Sequence, residues 1–402
     1  MNILDQSAKR ECTSCQLCAT MCARGAIKIE LNKDGFYRPV VDADNCTDCE
    51  LCTKACYKFD EDVKITAPDQ LEKTQLYSAW SNDDELVRNT TSGGIGDLLA
   101  HELLKQGYKV VGCVYDDEKT RAEHRIATTA EELLPFRGSK YIQSYNFDAF
   151  KEVVKNCRQE KYVVFGTPCQ IYALSRIAEM KKVRDNFFFV DLYCHGCPSI
   201  FAWKKYQQKV KEANKVDSFD KVEFRSKIDG WGVYCSTFFK GGKLLHKSTR
   251  NLKGFFELFF SDQILNDGCN DCKLRHSLDY TDIRLGDFWG KKYAGNTRGV
   301  SAVTLCTNRG TELFDTIKPY IYCEEKDMVA FAPKQGWGTG HHPRPEARKA
   351  ILNSLSDSAQ SIDDACIALH QHQTPKEKLV RYAKNVLALL PRSLTIAIKK
   401  IR

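Results

Sequence analysis

Two short stretches of the chain each place four cysteines within eleven residues, and the two stretches share one spacing. The first runs from Cys12 to Cys22 and the second from Cys46 to Cys56, and both follow C-x-x-C-x-x-C-x-x-x-C. Three thiolates on a tight loop can reach three irons of one cubane, whereas the fourth, one helical turn later, points away and reaches another. The spacing therefore predicts two 4Fe-4S clusters held by eight cysteines.

This run of cysteines is the one that holds the clusters of bacterial ferredoxins. On that pattern the ligand sets are Cys12, Cys15, Cys18 and Cys56 for the first cluster, and Cys46, Cys49, Cys52 and Cys22 for the second. The intervening "AIKIELNKDGFYRPVV" predicts two short strands around an Asn-Lys-Asp-Gly turn. About the first 65 residues are therefore predicted to form a two-cluster module that conducts electrons.

Structural zinc is the alternative for these cysteines, because paired Cys-x-x-Cys motifs also form tetrahedral zinc sites. Zinc would require two ligand pairs per ion, whereas here three regularly spaced cysteines and a fourth occur twice. The proline that often follows the fourth cysteine is replaced by Ala23 and Tyr57, which affects the rigidity of the loop rather than ligation. Iron–sulfur clusters are the favoured interpretation.

A further cysteine lies where a strand passes into a helix. The segment "KYVVFGTPCQIYALSRI" predicts a strand, a turn at Gly166, and a helix with Thr167 as N-cap and Pro168 in its first position. Gln170 completes a capping box. Cys169 then lies in the first helical turn, where the helix dipole favours the thiolate. The alternative is a small buried core residue.

Other body cysteines complete a group that has the number of thiols a third cluster needs. "LYCHGCPS" ends a strand with Cys194 and Cys197, and "CNDC" supplies Cys269 and Cys272. A lone Cys-x-x-Cys also occurs in redox pairs, in zinc sites or without a function. Together with Cys169 and Cys194 it supplies four thiolates. Cys197 is the alternative to Cys194, which we prefer.

The segment "TTSGGIGD" places Ser92, Gly93 and Gly94 at the start of a predicted helix. Exposed main-chain amides and the positive end of a helix dipole suit a phosphate, such as the diphosphate of a dinucleotide. A pair of glycines before a helix is also typical of a plain turn. The residues alone favour the turn.

The composition gives the setting for these motifs. The chain has 402 residues, which predicts two or three domains, and 19 cysteines that cluster as ligands do. No apolar run is long enough for a secretory signal or a spanning helix, so a cytoplasmic protein is expected. The formal net charge of +8 lies mostly in the basic tail after Thr374, and nothing in it indicates nucleic acid.

In their order along the chain these motifs resemble the beta-subunit family of coenzyme F-420-reducing hydrogenases and dehydrogenases. The resemblance extends to about Phe314 and rests on the two cysteine runs and on "TSGG", "GTPCQ", "CHG", "FRSKIDGWG", "CNDCK", "DIRLGDFWG" and "RGVSAVTLCTNRGTELF". It implies an FAD site in an α/β body that faces an iron–sulfur cluster. The substrate is not fixed by this fold.

The resemblance also implies roles for individual residues. Ser92, Gly93 and Gly94 would hold the flavin phosphates, the segment from Gly166 and Thr167 to Cys169 would face the ring, and Lys227 would hold an anionic group. Asp287 would orient a proton, with a turn former as the alternative. His195 would donate a proton, with a structural histidine as an equal alternative. "GHHPRP" at 340–345 predicts a loop rather than a metal site.

The fold predicted from these elements is α+β and α/β. Residues 1–66 form the two-cluster ferredoxin-type domain, residues 67–160 and 161–340 form two parts of a flavin-binding α/β body with a mixed sheet, and residues 341–402 form a basic helical tail. In the tail, apolar Leu379, Tyr382, Val386 and Leu390 recur at helical spacing among basic residues. A packed terminal helix and a helix lying on an anionic membrane or an acidic partner are the two alternatives.

The predicted function is that of a flavin-dependent iron–sulfur oxidoreductase. It would exchange electrons between a ferredoxin-like or other redox protein and a small-molecule carrier or substrate, and bacterial relatives of this kind point to surface-polysaccharide metabolism. The cofactors are FAD and two 4Fe-4S clusters, with a third if the body cysteines bind one. The alternative is a non-catalytic electron-transfer subunit that serves a partner enzyme.

Overall fold

The computed structural model describes residues 1–248 and 253–401. At the N-terminus, helix α1 (Leu17–Met21) precedes an antiparallel hairpin of β1 (Ile27–Leu31) and β2 (Tyr37–Val41), and helix α2 (Leu51–Lys54) follows. Each helix contains the third cysteine of its run, so the fourth emerges just beyond the helix end. This is the ferredoxin-like arrangement that the spacing predicts, and the predicted hairpin is confirmed.

The other strands belong to one large sheet and one small sheet. They are β3 (Gln75–Ser81), β4 (Lys109–Asp116), β5 (Arg121–Ala127), β6 (Ser144–Tyr145), β7 (Tyr162–Phe165), β8 (Phe187–Leu192), β9 (Lys221–Glu223), β10 (Thr237–Lys240), β11 (Lys243–Lys247), β12 (Ile283–Asp287), β13 (Ser301–Leu305) and β14 (Ile321–Lys326). The large sheet has the order β14-β3-β13-β12-β8-β7-β4-β5-β6. It is mixed, as predicted, because β12, β8, β7 and β4 run parallel while strands on both sides include antiparallel pairs.

The remaining helices cover this sheet and form the C-terminal part. They are α3 (Pro68–Lys73), α4 (Asp84–Asn89), α5 (Ile95–Lys105), α6 (Phe147–Asn156), α7 (Pro168–Met180), α8 (Ile200–Asn214), α9 (Phe255–Phe259), α10 (Asn308–Ile317), α11 (Met328–Phe331), α12 (Pro345–Ser356), α13 (Ile362–Gln371), α14 (Pro375–Leu389) and α15 (Arg392–Ile401). Among the described residues, none of these helices is both long and apolar enough to cross a bilayer.

Both faces of the large sheet are buried, which is why its central strands are continuously apolar. Val163 and Phe188 pack on the face that α5 and α10 cover, whereas Val164 and Phe189 pack on the face that α6 and α7 cover. Successive residues of a strand point to opposite faces, so each pair serves a different core. The small sheet, β11-β10-β9, packs with α8, α9, α12 and α13 around Trp203.

Three parallel neighbouring strands bring the predicted chemistry to one edge of the large sheet. The carboxyl ends of β7, β8 and β12 lead to Cys169, to Cys194 and to Asp287, respectively. Because β7 pairs with β8 and β8 with β12, residues far apart along the chain leave the sheet side by side. The edge beyond the carboxyl ends is where open α/β sheets bind ligands.

The N-terminal module packs directly on this edge. Asn266 of the body donates to Ser14 Oγ at 2.8 Å and accepts from Arg38 at 3.1 Å. Gln16 donates to the carbonyl of Ser144 at 2.9 Å. Gly268 lies so close to the module that a Cβ there would be 2.7 Å from the carbonyl oxygen of Cys12. The close approach of the two parts therefore depends on a glycine.

We predict that Gly268→Ala separates the module from the body. The added methyl would press on main-chain atoms that have no room to move, so it should lower the free energy of unfolding by roughly 1–3 kcal/mol. Gly232→Ala is the matched control, because a Cβ at Gly232 would meet nothing within 4 Å. Urea denaturation of both variants measures the difference, and equal stability would contradict the close packing described above.

Candidate metal centres and cofactor site

Four thiols of the N-terminal module surround one pocket. Cys12, Cys15, Cys18 and Cys56 line it together with apolar residues such as Ile29. Burial, and then the charge of Cys12, raises the pKa of the Cys56 thiol to about 12. Thiolates are costly in such surroundings unless a metal ion supplies positive charge. The set of four closely placed sulfurs fits an iron–sulfur cluster.

The second group of module thiols is nearer to solvent. Burial raises the pKa of Cys52, and the charges of Cys49 and Cys22 raise it further, so these three thiols are neighbours. Asn2 donates from Nδ2 to the Sγ of Cys46 at 3.9 Å. Cys49 is exposed. Cys22 is thus an electrostatic neighbour of Cys52 in the later run, and the crossed ligand sets stay a prediction.

Five thiols of the body gather at the sheet edge, where the sequence predicts four ligands. They are Cys169, Cys194, Cys197, Cys269 and Cys272. Burial raises the pKa of Cys169 to about 11 and that of Cys194 to about 12, and neighbouring thiolates add to the shift of Cys194. A cluster of buried thiols in this state fits a second metal environment, separate from the module.

Cys197 is closer to this group than the sequence indicates. Its main-chain amide donates to Cys269 Sγ at 3.4 Å. A hydrogen bond from the Cys197 thiol also lowers the pKa of Cys269, which burial alone would raise. Hydrogen bonds to ligand sulfurs are among the features that set the potential of iron–sulfur clusters. Cys194 and Cys197 both belong to the group, so the preference for Cys194 stays a prediction.

The body thiols adjoin the first module set. Among neighbouring charges, that of Cys169 has the largest effect on Cys15, whose pKa burial raises well above its usual value. Thr167 Oγ1 lies 3.2 Å from Cys169 Sγ, and Thr13 of the module also bonds to this sulfur. The charge of Cys52, in the outer module group, also raises the pKa of Cys18 and of Cys56 in the inner one. The three sulfur groups are therefore arranged in series, from the exposed Cys49 inward.

A buried arginine positions two of the three body segments that carry the cysteines of this group, and sequence reasoning gave it no role. Arg284 of β12 forms an ion pair with Asp191 of β8, and both side chains are almost fully buried. It also donates to the carbonyls of Arg275 at 2.9 Å and Ser277 at 2.8 Å. Arg284 thus joins the strand before Cys194 to the loop after Cys272. The quoted segment "DIRLGDFWG" contained the only sequence signal.

Two histidines and an aspartate form a network beside Cys269. Asp262 accepts from His195 Nε2 at 2.8 Å and from His341 Nδ1 at 3.1 Å. Burial raises the pKa of Asp262, but these bonds outweigh burial and lower it well below the usual range. Arg275 lies 2.6 Å from His341 Nε2.

The same network resembles a metal site in its composition but not in its bonding. The three ligand atoms lie within 4.8 Å of one another. His341 Nε2, however, lies 2.6 Å from both the Arg275 guanidinium and the main-chain carbonyl of His195, and the positive charge of Arg275 at this position disfavours a cation. The role of His195 as a proton donor stays a prediction, and sequence reasoning did not identify Asp262 or Arg275.

The predicted phosphate loop contains a buried hydroxyl and is contacted by a lysine from elsewhere in the body. Lys227 donates from Nζ to the carbonyls of Val87 and Ser92, the latter at 2.6 Å. Burial, and then the charge of Arg225, lowers the pKa of Lys227 to about 7. Within the described residues, Ser92 Oγ is buried without a hydrogen-bond partner. A hydroxyl and an amine in these surroundings fit the diphosphate of FAD.

The glycines and Thr167 have structural partners of their own. Gly93 donates from its amide to Ser301 Oγ at 2.9 Å, and Gly94, with φ of +84°, caps helix α5. Gly166 donates to the carbonyl of Val190 at 3.1 Å, and Thr167 donates its amide to Gln170, completing the predicted capping box. These amides are engaged within the protein, so their roles as flavin contacts stay predictions.

Asp287 is held in an ion pair at the end of β12. Its carboxylate accepts from the buried Arg225 and, at 3.1 Å, from Trp231 Nε1. The Arg225 guanidinium lies over the rings of Tyr234, at 4.6 Å, and Trp289, at 5.0 Å. Asp287 is therefore fixed by Arg225 and Trp231 rather than free in a turn, and its proposed proton role stays a prediction.

Comparison with known proteins identifies the class. Residues 76–151 and 159–330 match the N-terminal and C-terminal parts of "coenzyme F420 hydrogenase/dehydrogenase, beta subunit", and residues 11–58 match a 4Fe-4S dicluster domain. The two beta-subunit matches together cover more than half of the chain. The chain therefore belongs to this beta-subunit family and carries a 4Fe-4S ferredoxin-like domain, which confirms the resemblance drawn from the sequence.

Individual relatives are more distant. The coenzyme F420 hydrogenase subunit beta of Methanococcus voltae is 32% identical over 122 residues, 29% of this chain and 44% of that protein. The subunit of the same name from Methanosarcina barkeri (strain Fusaro / DSM 804) is 26% identical over 247 residues, 59% of this chain and 76% of that protein. The first match thus spans less than half of its relative's length.

A solved structure also shows a partial likeness. It is a chain of the F420-reducing NiFe hydrogenase complex from Methanosarcina barkeri, 21% identical, with a TM-score of 0.45. The likeness covers 78% of this chain and 94% of that chain.

We predict that Lys227 makes stability depend on pH. Its folded pKa of about 7 is below that of an unfolded lysine, so the unfolded state binds more protons at alkaline pH. In flavin-free protein, the free energy of unfolding should rise between about pH 7 and pH 10, by up to about 1 kcal/mol per pH unit. Lys227→Met should remove this rise. Urea titrations across that range compare the two, and equal slopes would contradict the assignment.

Proposed function

We propose that the chain passes electrons between a ferredoxin-like redox protein and a small two-electron carrier or substrate. The cofactors proposed are two 4Fe-4S clusters in the N-terminal module, a third on the body cysteines, and FAD. A flavin supplies two-electron chemistry when bound, and iron–sulfur clusters supply one-electron transfer. A role for this electron transfer in surface-polysaccharide metabolism stays a prediction from the family resemblance.

The serial arrangement of the three sulfur groups is the observation that carries this proposal. Cys49 is exposed, so a partner protein can approach the outer group closely. Cys15 of the inner module group and Cys169 of the body are electrostatic neighbours, which joins the module to the body. A module that only bound a partner and transferred no electrons would not need its thiols to lie beside those of the body.

The surroundings of the inner module group and of the body group favour electron transfer over exchange with water. Cys18, Cys269 and Cys272 are buried, as is Tyr57, whose hydroxyl accepts from the amide of Lys273 at 2.8 Å. Arg275 places positive charge near Cys269. A low-dielectric environment and nearby charge both tune cluster potentials.

On the cofactor side, chain residues would bind and orient the flavin. Lys227 and Ser92 would hold its diphosphate, because they offer a half-buried amine and an unpaired hydroxyl. Arg225 and Asp287 fix the neighbouring loop against β12. The ion pair is buried, and breaking it should disturb the position of Trp231, which donates to the same carboxylate.

The first experiment counts iron. Anaerobically purified protein should contain about twelve irons and twelve sulfides, since each cubane contributes four of each. Cys169→Ser should lower iron to about eight, because one body ligand is lost, and should remove one signal from the EPR spectrum of the reduced protein. Cys235→Ser replaces a buried cysteine outside all three groups and should leave iron unchanged.

The iron count also tells how the proposal would fail. About eight irons in the unaltered chain, unaffected by Cys169→Ser, would show that the body thiols hold no cluster. Zinc in place of iron would exclude the entire electron path. Loss of iron from Cys235→Ser to the same extent as from Cys169→Ser would show a general folding defect instead.

The alternative is a non-catalytic electron-transfer subunit. The relatives' names agree with it, because both are called subunits of a coenzyme F420 hydrogenase. In this alternative the substrate site would lie in another polypeptide. The two functions differ in flavin content. One FAD per chain, bleached by dithionite and reoxidised by a small molecule in the isolated protein, would support the enzyme, whereas iron and sulfide without flavin would support the subunit.

A further inference from the structure

The last two helices differ from those before them in how they meet the protein. Helices α12 and α13 each bury one face, with Ile351 and Ile362 fully inaccessible. Helix α14 follows directly and runs for fifteen residues without a buried side chain. A long helix in a globular protein ordinarily hides an apolar stripe. The first alternative from the sequence, a packed terminal helix, therefore does not describe α14.

The apolar residues of α14 are exposed and lie on one side. Leu379, Tyr382 and Val386 follow one another at intervals of three and four residues, which keeps them on one helix face. The exposed fractions are 67% for Leu379, 68% for Tyr382 and 85% for Leu389. With Val380 and Leu387 they cover about half of the circumference. Helix α15 adds Leu394 and Ile398, which are also exposed.

The tail is nevertheless held in place. Thr374 and Glu377 form a capping box at the start of α14, and Glu377 is paired with Arg344 at 2.7 Å. Helix α15 lies against the loop after β12, where Ile396 would be 3.0 Å from a Cβ on Gly295. The contacts at both ends leave the apolar side of α14 uncovered by the described residues.

The charge of this segment is strongly positive. From Lys376 to the C-terminus the sequence contains eight lysines or arginines and one glutamate. The net charge of this segment is therefore +7, which nearly equals the +8 of the whole chain. On a helical projection Lys378 and Lys384 flank the two borders of the apolar half of α14. Lysines in such positions can extend their charged ends to lipid headgroups while their stems follow the apolar surface.

We propose that α14 and α15 dock this protein on an anionic membrane surface. The occupant is a lipid bilayer because the apolar side is broad and convex, and because positive charge borders it. Interfacial helices of this type insert their apolar face at the headgroup boundary and gain affinity from anionic lipids. This inference goes beyond the proposed electron transfer and does not depend on it.

The test is sedimentation of the full-length, cluster-loaded protein with vesicles. Vesicles of equal parts phosphatidylcholine and phosphatidylglycerol should bind it, and phosphatidylcholine alone should bind it at least about tenfold less. The double variant Leu379→Glu/Val386→Glu should lose about tenfold or more in binding to the anionic vesicles, since acids would replace two exposed apolar side chains that the proposal inserts into the bilayer. Iron content, measured on the same samples, should be unchanged.

Matched variants separate the surface from general effects. Ile367→Glu introduces an acid at an apolar residue of α13 that is 52% exposed, and it should bind vesicles like the unaltered protein. Lys378→Gln/Lys384→Gln should weaken binding several-fold, and the binding that remains should depend less on salt concentration. Lys151→Gln/Lys155→Gln removes two exposed lysines of α6 and should have little effect.

Three outcomes would overturn the proposal. The first is no binding of the unaltered protein to anionic vesicles, and the second is equal binding of the Leu379→Glu/Val386→Glu variant. The third is a dimer in solution that this variant dissociates while vesicles bind neither protein, because the apolar side would then be an interface between two copies. Unchanged iron content in the variant with lost vesicle binding would leave the electron-transfer proposal intact.

Discussion

The cost of keeping thiolate sulfur away from water governs how this chain is assembled. Cys169, Cys194 and Cys272 are shielded by the sheet edge on one side and by the N-terminal module on the other, and burial raises the pKa of each. Such a group is stable only with a compensating positive charge, which bound iron supplies. The approach of module and body at Gly268 is therefore part of the same constraint as the chemistry.

The framework behind the sulfurs meets that constraint with buried charge. Arg284 pairs with Asp191 and also donates to carbonyls of the loop after Cys272, so a single side chain fixes two cysteine-bearing segments. Buried ion pairs add little to stability on balance, but they hold a defined arrangement when every donor is used. Asp262 holds two side chains in a comparable way, because it accepts hydrogen bonds from both His195 and His341.

The distribution of apolar side chains differs between the body and the C-terminal tail. In the body the apolar residues are enclosed between the large sheet and its helices, and the ionised groups that remain inside are paired. In the tail the apolar residues are outside and bordered by lysines. The same chain thus combines a centre that excludes water with a segment whose apolar side has no cover within the described residues.

The sequence by itself determined the local features: the two cysteine runs, the hairpin of β1 and β2, and the capping box of Thr167 and Gln170. Each depends on spacing or on the backbone preferences of a few adjacent residues, which any tertiary setting preserves. It also indicated the mixed sheet and the meeting of strand ends. Only the tertiary structure brought Asp262 to His341, added Cys197 to the body thiols and left α14 unburied, because long-range packing decides which distant residues meet and which helix faces are covered.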